Sequence, residues 1–296
     1  MHKILTSHIA LFLANTIYAV NYIVAKDVMP EYITPKGFIL LRILGASVIF
    51  FLIHRFWIKE KLYRKDFWYL FICALFGVFI NMLCFFQGLS LTSPINASLI
   101  MITTPVIVYL IAVFLSPKEH HYIRLLGVLL GLLGATLLIT NGSLSFSLNN
   151  FGDILILINA FSYAIYLVLV KSLMKKYHPI TVLKNLFFLG FIMILPIGWR
   201  DVIEINLMIL PMDIIFKILF VIFFTTCLAY FLNIYAISRL RSSTVAFYIY
   251  LQPLLATLLA ILLGKDILTM HKFLSAIFIF SGVSSTIIYL IFFLNF

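Results

Sequence analysis

The sequence predicts an all-α integral membrane protein in which ten transmembrane helices form two inverted five-helix repeats. Two observations predict this fold: ten long apolar runs make up most of the chain, and the second half repeats residues of the first half at a nearly constant spacing. A third observation, the alternation of basic residues between successive loops, orients the helices in the bilayer.

The apolar content is the first of these observations. Of the 296 residues, 64% are hydrophobic and 10% are charged, whereas soluble domains average about 45–50% apolar and roughly 25% charged residues. An apolar run of about 20 residues spans a hydrocarbon layer of ~30 Å. The runs of this length are 6–26, 35–56, 67–89, 94–115, 122–140, 152–173, 179–199, 211–237, 242–264 and 271–293. The short connections between them leave no room for a soluble catalytic domain.

Basic residues collect in alternate loops. With the N-terminus inside, thirteen Lys and Arg lie on the cytoplasmic side and five on the opposite side, where the loop NGSLSFSLNN carries no charge. Cytoplasmic loops of membrane proteins are enriched in Lys and Arg, so this pattern places both termini in the cytoplasm. Topology thus accounts for the net charge of +11, and nucleic acid is not an expected partner.

The two halves of the sequence align, which predicts one repeat at residues 1–148 and a second at 149–296. The aligned pairs are Tyr18 with Tyr163, Lys26 with Lys171 and Gly45 with Gly190 at an offset of 145 residues, and Pro105 with Pro253 and Gly134 with Gly282 at an offset of 148. Because five spans is an odd number, the second repeat enters the membrane from the opposite side. The repeats are therefore inverted.

Several segments resemble the EamA-type branch of the drug/metabolite transporter superfamily. They are the Tyr-Ala segments of the first and sixth spans, Arg42, TSPINASLIMITTPVIVYLIAVFLSPKE with the following GVLLGLLGA, and LRSSTVAFYIYLQPLLATLLAILLGKD with SGVSS. The resemblance covers essentially the whole chain. It implies a ten-span bacterial transporter that exports or exchanges small metabolites, often amino acids or related compounds, across the inner membrane.

Polar residues at mid-span form stripes on four pairs of repeat-related helices. Each is costly in a bilayer unless it faces a partner or water, so the stripes predict one wet cavity between the helices. The candidate substrate-binding residues on these matched faces are Tyr18, Asn96, Tyr163, Tyr248 and Gln252. Interhelical hydrogen bonding remains the alternative role for each of them, and for each tyrosine a position in the aromatic belt at the membrane interface is a further alternative.

Arg42 and two prolines complete the candidate site. Arg42 lies seven residues after Pro35, about 10 Å below the outer edge at ~1.5 Å per residue, where it either extends to the surface or binds an anionic group. Pro105 and Pro253 interrupt the fourth and ninth spans at matched positions, and a proline in a helix removes a backbone hydrogen bond and bends the helix. We expect both to act in gating, with a static kink as the alternative.

The remaining patterns predict no enzyme. The chain has no H-E-x-x-H, no G-x-S-x-G and no P-loop, and no cluster of Cys and His to hold a metal, so no catalytic residue, cofactor or metal is expected. The expected partners are a small-molecule substrate and the lipid bilayer.

The fifth span has a face of small residues, formed by Gly127, Gly131 and Gly134. Such a face favours close helix packing and leaves a homodimer contact open. The alternative functions are a channel-like or structural membrane subunit and a multi-span lipid-modifying enzyme.

Overall fold

The computed structural model of the protein describes residues 2–115, 122–140, 151–205, 210–262 and 269–293, and every regular element in these ranges is a helix. The loop NGSLSFSLNN at 141–150 lies outside the described residues. We number the helices α1 (His2–Val28), α2 (Pro35–Ile58), α3 (Arg64–Leu91), α4 (Pro94–Leu115), α5 (Tyr122–Ile139), α6 (Phe151–Leu173), α7 (Pro179–Ile203), α8 (Met212–Ile237), α9 (242–262) and α10 (Met270–Phe293).

Helices α1 to α9 are each long and apolar enough to cross a membrane, and within the described ranges these nine are the helices that meet both conditions. Helix α10 is an apolar helix of 24 residues, of which Met270–Val283 is the part with described side chains. The prediction of an all-α, multi-pass membrane protein is confirmed. The arrangement as ten spans in two inverted repeats stays a prediction at this point.

Local sequence fixes where several helices begin. In α2 and α4 the first residue is a proline, whose fixed φ suits the first turn and whose missing N–H would have no partner there. The residue before each proline caps the helix: Thr34 Oγ1 accepts a hydrogen bond from Gly37 N at 3.2 Å, and Ser93 Oγ accepts one from Asn96 N at 3.1 Å.

The helices pack in pairs that join the two halves of the chain. Helix α1 packs against α8 and α9, and α6 packs in the same way against α3 and α4. Helix α2 packs against α7, and α5 packs against α10. Exchanging each helix for the one five positions along the chain leaves this set of contacts unchanged.

The pair α5 and α10 is held at close range by small residues. A Cβ added to Gly282 would lie 2.7 Å from the carbonyl oxygen of Gly127, and one added to Gly134 would lie 2.9 Å from that of Ser275. Only glycine permits this approach of the two backbones. The small-residue face of α5 is therefore filled by α10 within one chain, and a homodimer stays a prediction.

Two lysines hold the ends of α3 and α8. Lys26 Nζ, on α1, donates to the carbonyl oxygens of Leu89, Ser90 and Thr92 at 2.8, 3.0 and 3.0 Å. Lys171 Nζ, on α6, donates to those of Ile237 and Leu240, both at 2.6 Å. The last carbonyl groups of a helix lack intrahelical partners and carry partial negative charge, so a cation is a favourable cap for them. The lysines that align in the sequence thus make the same contact in each half.

Both prolines lie just after an interruption of their helix. Helix α4 is regular from Pro94 to Met101 and again from Thr104 to Leu115, with a turn between these segments. In α9 a tighter 3-10 turn at Tyr248–Tyr250 precedes the regular segment that contains Pro253. Irregular backbone thus lies next to both Pro105 and Pro253, whereas their gating role stays a prediction.

Helices α3 and α8 each contain a wider π-helical segment, Leu75–Ile80 and Val221–Leu228. At the offset of 148 residues these segments overlap. In the wider turn of α8 the N–H of Ala229 bonds to the carbonyl oxygen of Phe224, five residues earlier. Such turns are rare and occur often at functional sites, because they change which side chains face inward.

Candidate substrate-binding cavity

A cavity lies between seven helices, α1, α2, α3, α4, α6, α8 and α9. It encloses about 550 Å³ of space between atoms, a value that includes space open to solvent. Its lining residues are Tyr18, Asn21, Tyr22, Arg42, Asn81, Phe85, Met101, Asn159, Tyr163, Thr225, Tyr230, Ile249 and Gln252. Both halves of the chain contribute to the lining.

Four of the six candidate binding residues come together in this lining. They are Tyr18, Arg42, Tyr163 and Gln252. Tyr18 and Tyr163, which align in the repeat, face the same cavity from α1 and α6. The structure therefore brings the matched tyrosines together across the two halves.

Asn96 and Tyr248, the other two candidates, do not line the cavity. Asn96 is half-buried in the first turn of α4, where its backbone N–H donates to Ser93 Oγ. The hydroxyl of Tyr248 lies 2.7 Å from Nδ1 of His8, near the start of α1. Their roles in substrate binding stay predictions.

Arg42 is the charged group of the cavity. Its side chain is 2% exposed, its Nε donates to Thr226 Oγ1 at 2.9 Å, and its guanidinium lies 4.1 Å from the centre of the Phe86 ring. Thr226 in turn donates its hydroxyl to the carbonyl oxygen of Val221 at 2.8 Å. These neutral partners fix the guanidinium plane and leave its charge uncompensated. A charge at the centre of a membrane helix costs about 2.5–3.5 kcal/mol on insertion scales, so a functional reason for Arg42 is expected.

Side-chain amides cross the cavity between helices. Gln252 Nε2 donates to Asn15 Oδ1 at 2.8 Å, which joins α9 to α1. Asn159 Nδ2 donates to the carbonyl oxygen of Asn81 at 2.7 Å, which joins α6 to α3. The Oδ1 atoms of Asn21 and Asn159 are buried without a hydrogen-bond partner in residues that line the cavity. They are free to accept hydrogen bonds from a ligand or from water.

Aromatic rings form much of the remaining wall. Tyr163 stacks on Tyr166 with ring centres 6.0 Å apart, and Tyr22 meets Phe85 edge-on at 5.5 Å. The hydroxyl of Tyr18 accepts a hydrogen bond from Asn233 Nδ2 at 3.2 Å. Such walls suit an apolar or aromatic body that carries a small number of polar groups.

Sequence reasoning missed Thr225 and Tyr230 of α8. Their counterparts at the repeat offset are Gly77 and Met82, so a search for polar residues on matched faces passes over them. The adjacent pair Thr225 and Thr226 inside an apolar span was the signal that could have found the site. The π-helical segment then explains how one threonine lines the cavity while the next contacts Arg42.

The lining carries no Asp or Glu among the residues that the structure describes. In the same ranges no three His, Cys, Asp or Glu side chains come together as a metal site. The charge of the cavity is therefore positive and comes from Arg42.

The first turns of α4 and α9 differ in burial. Helices α4 and α9 begin at opposite ends, because α9 is the fifth span after α4. Ile95, at the start of α4, is 62% exposed, whereas Ser243, its counterpart at the start of α9, is 3% exposed. Asn96 is half-buried, and its counterpart Thr244 is 3% exposed. The first turn of α9 is therefore more deeply buried than the first turn of α4.

Comparisons with known proteins agree with this architecture. The model of the EamA-like transporter family matches the chain twice, at residues 5–140 and 150–288. An uncharacterized transporter of Archaeoglobus fulgidus is 29% identical over 262 residues, which cover 86% of this chain and 88% of the relative. The uncharacterized transporter YyaM of Bacillus subtilis is 24% identical over 243 residues, which cover 81% and 79%. A solved structure described as "Crystal structure of protein" shares the fold with a TM-score of 0.75 at 16% identity, covering 97% of this chain and 96% of that one.

Apolar helices that surround a cavity lined by polar and aromatic side chains, together with these relatives, define a multi-pass membrane transporter. The family and the transporter-named relatives point away from an enzyme. The chain belongs to the EamA-like transporter family.

Proposed function

We propose that this protein is a secondary transporter that moves a small metabolite across the inner (cytoplasmic) membrane of a bacterium by alternating access. The observation that carries the proposal is the cavity between the helices, to which both halves of the chain contribute polar and aromatic side chains. Amino acids and related compounds, moved outward, are the first candidates, because the sequence resembles exporters of such compounds. Both termini lie in the cytoplasm in this proposal, as the distribution of basic residues favours.

The proposed architecture is ten transmembrane helices in two inverted repeats, 1–148 and 149–296, with α10 as the tenth span. Three observations support it: the two family matches fall on either side of residue 148, the helix contacts are unchanged when the halves are exchanged, and Lys26 and Lys171 make equivalent contacts. An inverted pair of repeats gives two conformations in which the halves exchange roles, and alternation between them opens the cavity to each side in turn.

In this mechanism the irregular turns before Pro105 and Pro253 are the flexing points of α4 and α9. A turn without regular helical hydrogen bonds changes its dihedral angles at lower cost than a continuous helix does. The difference in burial between the first turns of α4 and α9 is consistent with one state of such a cycle. Tyr18, Arg42, Tyr163 and Gln252 bind the substrate between the two flexing points.

A proteoliposome counterflow screen tests the proposal. The purified chain is reconstituted with an unlabelled compound inside, and uptake of the labelled compound is measured for amino acids, polyamines, nucleotide derivatives and drugs. The expected result is transient, saturable accumulation of one class of compound. The control is Leu110→Ala, which changes a 59% exposed side chain on α4 and should transport as the unchanged protein does.

The main alternative is a channel-like or structural membrane subunit. A channel would pass solute without saturation and without counterflow, and a structural subunit would pass none. Either result across the whole screen would remove the proposed function. The lipid-modifying enzyme is disfavoured by the family match.

A further inference from the structure

The chemical class of the substrate follows from Arg42, and this inference rests on the proposed function. Arg42 lines the cavity, is 2% exposed, and has a buried Nη1 with no hydrogen-bond partner. Thr225, which also lines the cavity, is 1% exposed and has an Oγ1 without a partner. The cation and the hydroxyl thus belong to residues that line the same cavity, and each has a buried polar atom without a hydrogen-bond partner.

The rest of the guanidinium is occupied by neutral groups. Its Nε bonds to the hydroxyl of Thr226, and its face lies on the Phe86 ring. The described lining holds no carboxylate to balance the charge. A buried charge is costly unless it is paired and hydrogen-bonded, so the group that pairs with Arg42 must enter with the ligand.

The charge of that ligand group is limited by the single cation. A carboxylate carries one negative charge and accepts hydrogen bonds from guanidinium and hydroxyl donors. A phosphate monoester carries about −1.5 to −2 at neutral pH, which would leave nearly one charge unpaired in the cavity. The donor set therefore favours a carboxylate over a phosphate, and it disfavours a compound whose only charged group is a cationic amine.

We propose that the substrate is a carboxylate-bearing compound whose carboxylate binds Arg42 Nη1 and Thr225 Oγ1. The free Oδ1 atoms of Asn21 and Asn159 accept hydrogen bonds from donor groups elsewhere on the substrate. The tyrosine rings of the lining contact its apolar body. Compounds that lack the carboxylate, including amides and amines of the same size, are excluded.

Binding of minimal probes tests the proposal without knowledge of the substrate's body. Thermal unfolding of the full chain in detergent is measured with increasing sodium propionate, propionamide, propylamine hydrochloride and methyl phosphate, at constant ionic strength. Propionate should raise the unfolding temperature in a saturable way, methyl phosphate should act more weakly, and the amide and the amine should have no effect. Equal stabilisation by propionamide, by propylamine or by methyl phosphate, or none by propionate, would overturn the carboxylate assignment.

Variants separate the charge from general effects on folding. Arg42→Gln should abolish the response to propionate, whereas Arg42→Lys, which keeps the charge, should retain a weaker one. Thr225→Val removes one hydroxyl at nearly constant volume and should weaken propionate binding by about tenfold, since a buried donor lost from a charged partner is costly. The matched control is Lys184→Gln, a half-buried cation on α7 outside the lining, which should respond as the unchanged protein does.

The same variants distinguish this inference from the proposed function. If the counterflow screen finds a carried compound that lacks a carboxylate, or if Arg42→Gln carries its substrate with unchanged affinity, the substrate class is wrong and the transporter stands. If no compound shows counterflow, the proposed function itself fails. Should Arg42→Gln not fold, the Arg42→Lys and Thr225→Val responses decide the assignment.

Discussion

Replacing Lys26 or Lys171 with methionine should destabilise the protein to a similar extent, although the two residues lie 145 positions apart in the sequence. Methionine keeps most of the apolar stem and removes the ammonium group. Lys26→Met leaves three carbonyl oxygens at the end of α3 without their donor. Lys171→Met does the same to two carbonyl oxygens at the end of α8.

The expected magnitude follows from the contacts and the exposure. A hydrogen bond to a charged group contributes about 1.5–3 kcal/mol, and a full sum over three bonds would exceed 4 kcal/mol. Lys26 and Lys171 are only half-buried, so water replaces part of each set of bonds after substitution. We therefore expect each variant to lose about 1.5–3 kcal/mol, the value of one charged bond, and the double variant to lose the sum, because distant sites are additive.

The assay is the free energy of unfolding from denaturant titration in mixed micelles, followed by tryptophan fluorescence. Lys36→Met is the matched control, since Lys36 is an exposed lysine in the first turn of α2. It should change the free energy by less than about 0.5 kcal/mol. A loss at Lys26 and Lys171 no larger than this control, or a large loss at one of them alone, would refute the equivalence of the two contacts.

Three further predictions concern topology, binding and packing. Glu31 and Lys175 are exposed in repeat-related loops. Single cysteines at these positions, in a cysteine-free background, should react with a membrane-impermeant thiol reagent from opposite sides of the membrane, the cysteine at position 31 from outside. Reaction of both from the same side would contradict the inversion. Gln252→Ala should weaken the affinity for a carried substrate by about tenfold, because loss of a buried hydrogen-bond partner costs roughly 1–3 kcal/mol. The amount of folded protein in the membrane should stay near normal. If transport and the amount of folded protein fall in proportion, with no change in affinity, the residue is structural. Gly282→Ala, which places a Cβ 2.7 Å from backbone, should cost about 1–3 kcal/mol in the unfolding titration through overpacking, and more than Gly37→Ala, where the nearest atom is at 3.2 Å.

Much of the fold could be predicted from the sequence because the membrane allows few alternatives. Backbone groups in a bilayer must form their hydrogen bonds within the chain, so long apolar runs become helices. The predicted helix ends therefore lie close to the observed ones: the predicted span 94–115 coincides with α4, and the predicted span 152–173 begins one residue after α6 does. The alignment of Lys26 with Lys171 also carried structural information. Each ammonium group caps the same helix end in its own half.

The cavity was harder to predict, because its lining depends on helix rotation. Tyr18, Tyr163 and Gln252, which come from matched polar faces, lie in one lining, and their role in binding stays a prediction. Thr225 lies in the π-helical segment of α8. Wider turns rotate the side chains around the helix axis relative to a regular helix, so a period of 3.6 residues per turn does not predict which face Thr225 occupies. Tyr248 lies on a polar stripe, yet its hydroxyl meets His8, 240 residues away in the chain. No local pattern indicates such a partner.

Two repeats with the same helix packing can still differ in the hydrogen bonds at their ends, because the side chains there differ. Ser242, at the start of α9, donates to the carbonyl oxygen of Leu167 on α6 at 2.7 Å. The residue aligned with it at the start of α4 is Pro94, which has neither a hydroxyl nor a backbone N–H to donate. The contact between Tyr248 and His8 adds a second tie at the α9 end, where the aligned residue in α4 is Ile100. These two hydrogen bonds join the start of α9 to α6 and α1, at the end that is cytoplasmic in the proposed orientation. In an alternating cycle, both contacts must break or rearrange before the cavity opens toward the cytoplasm.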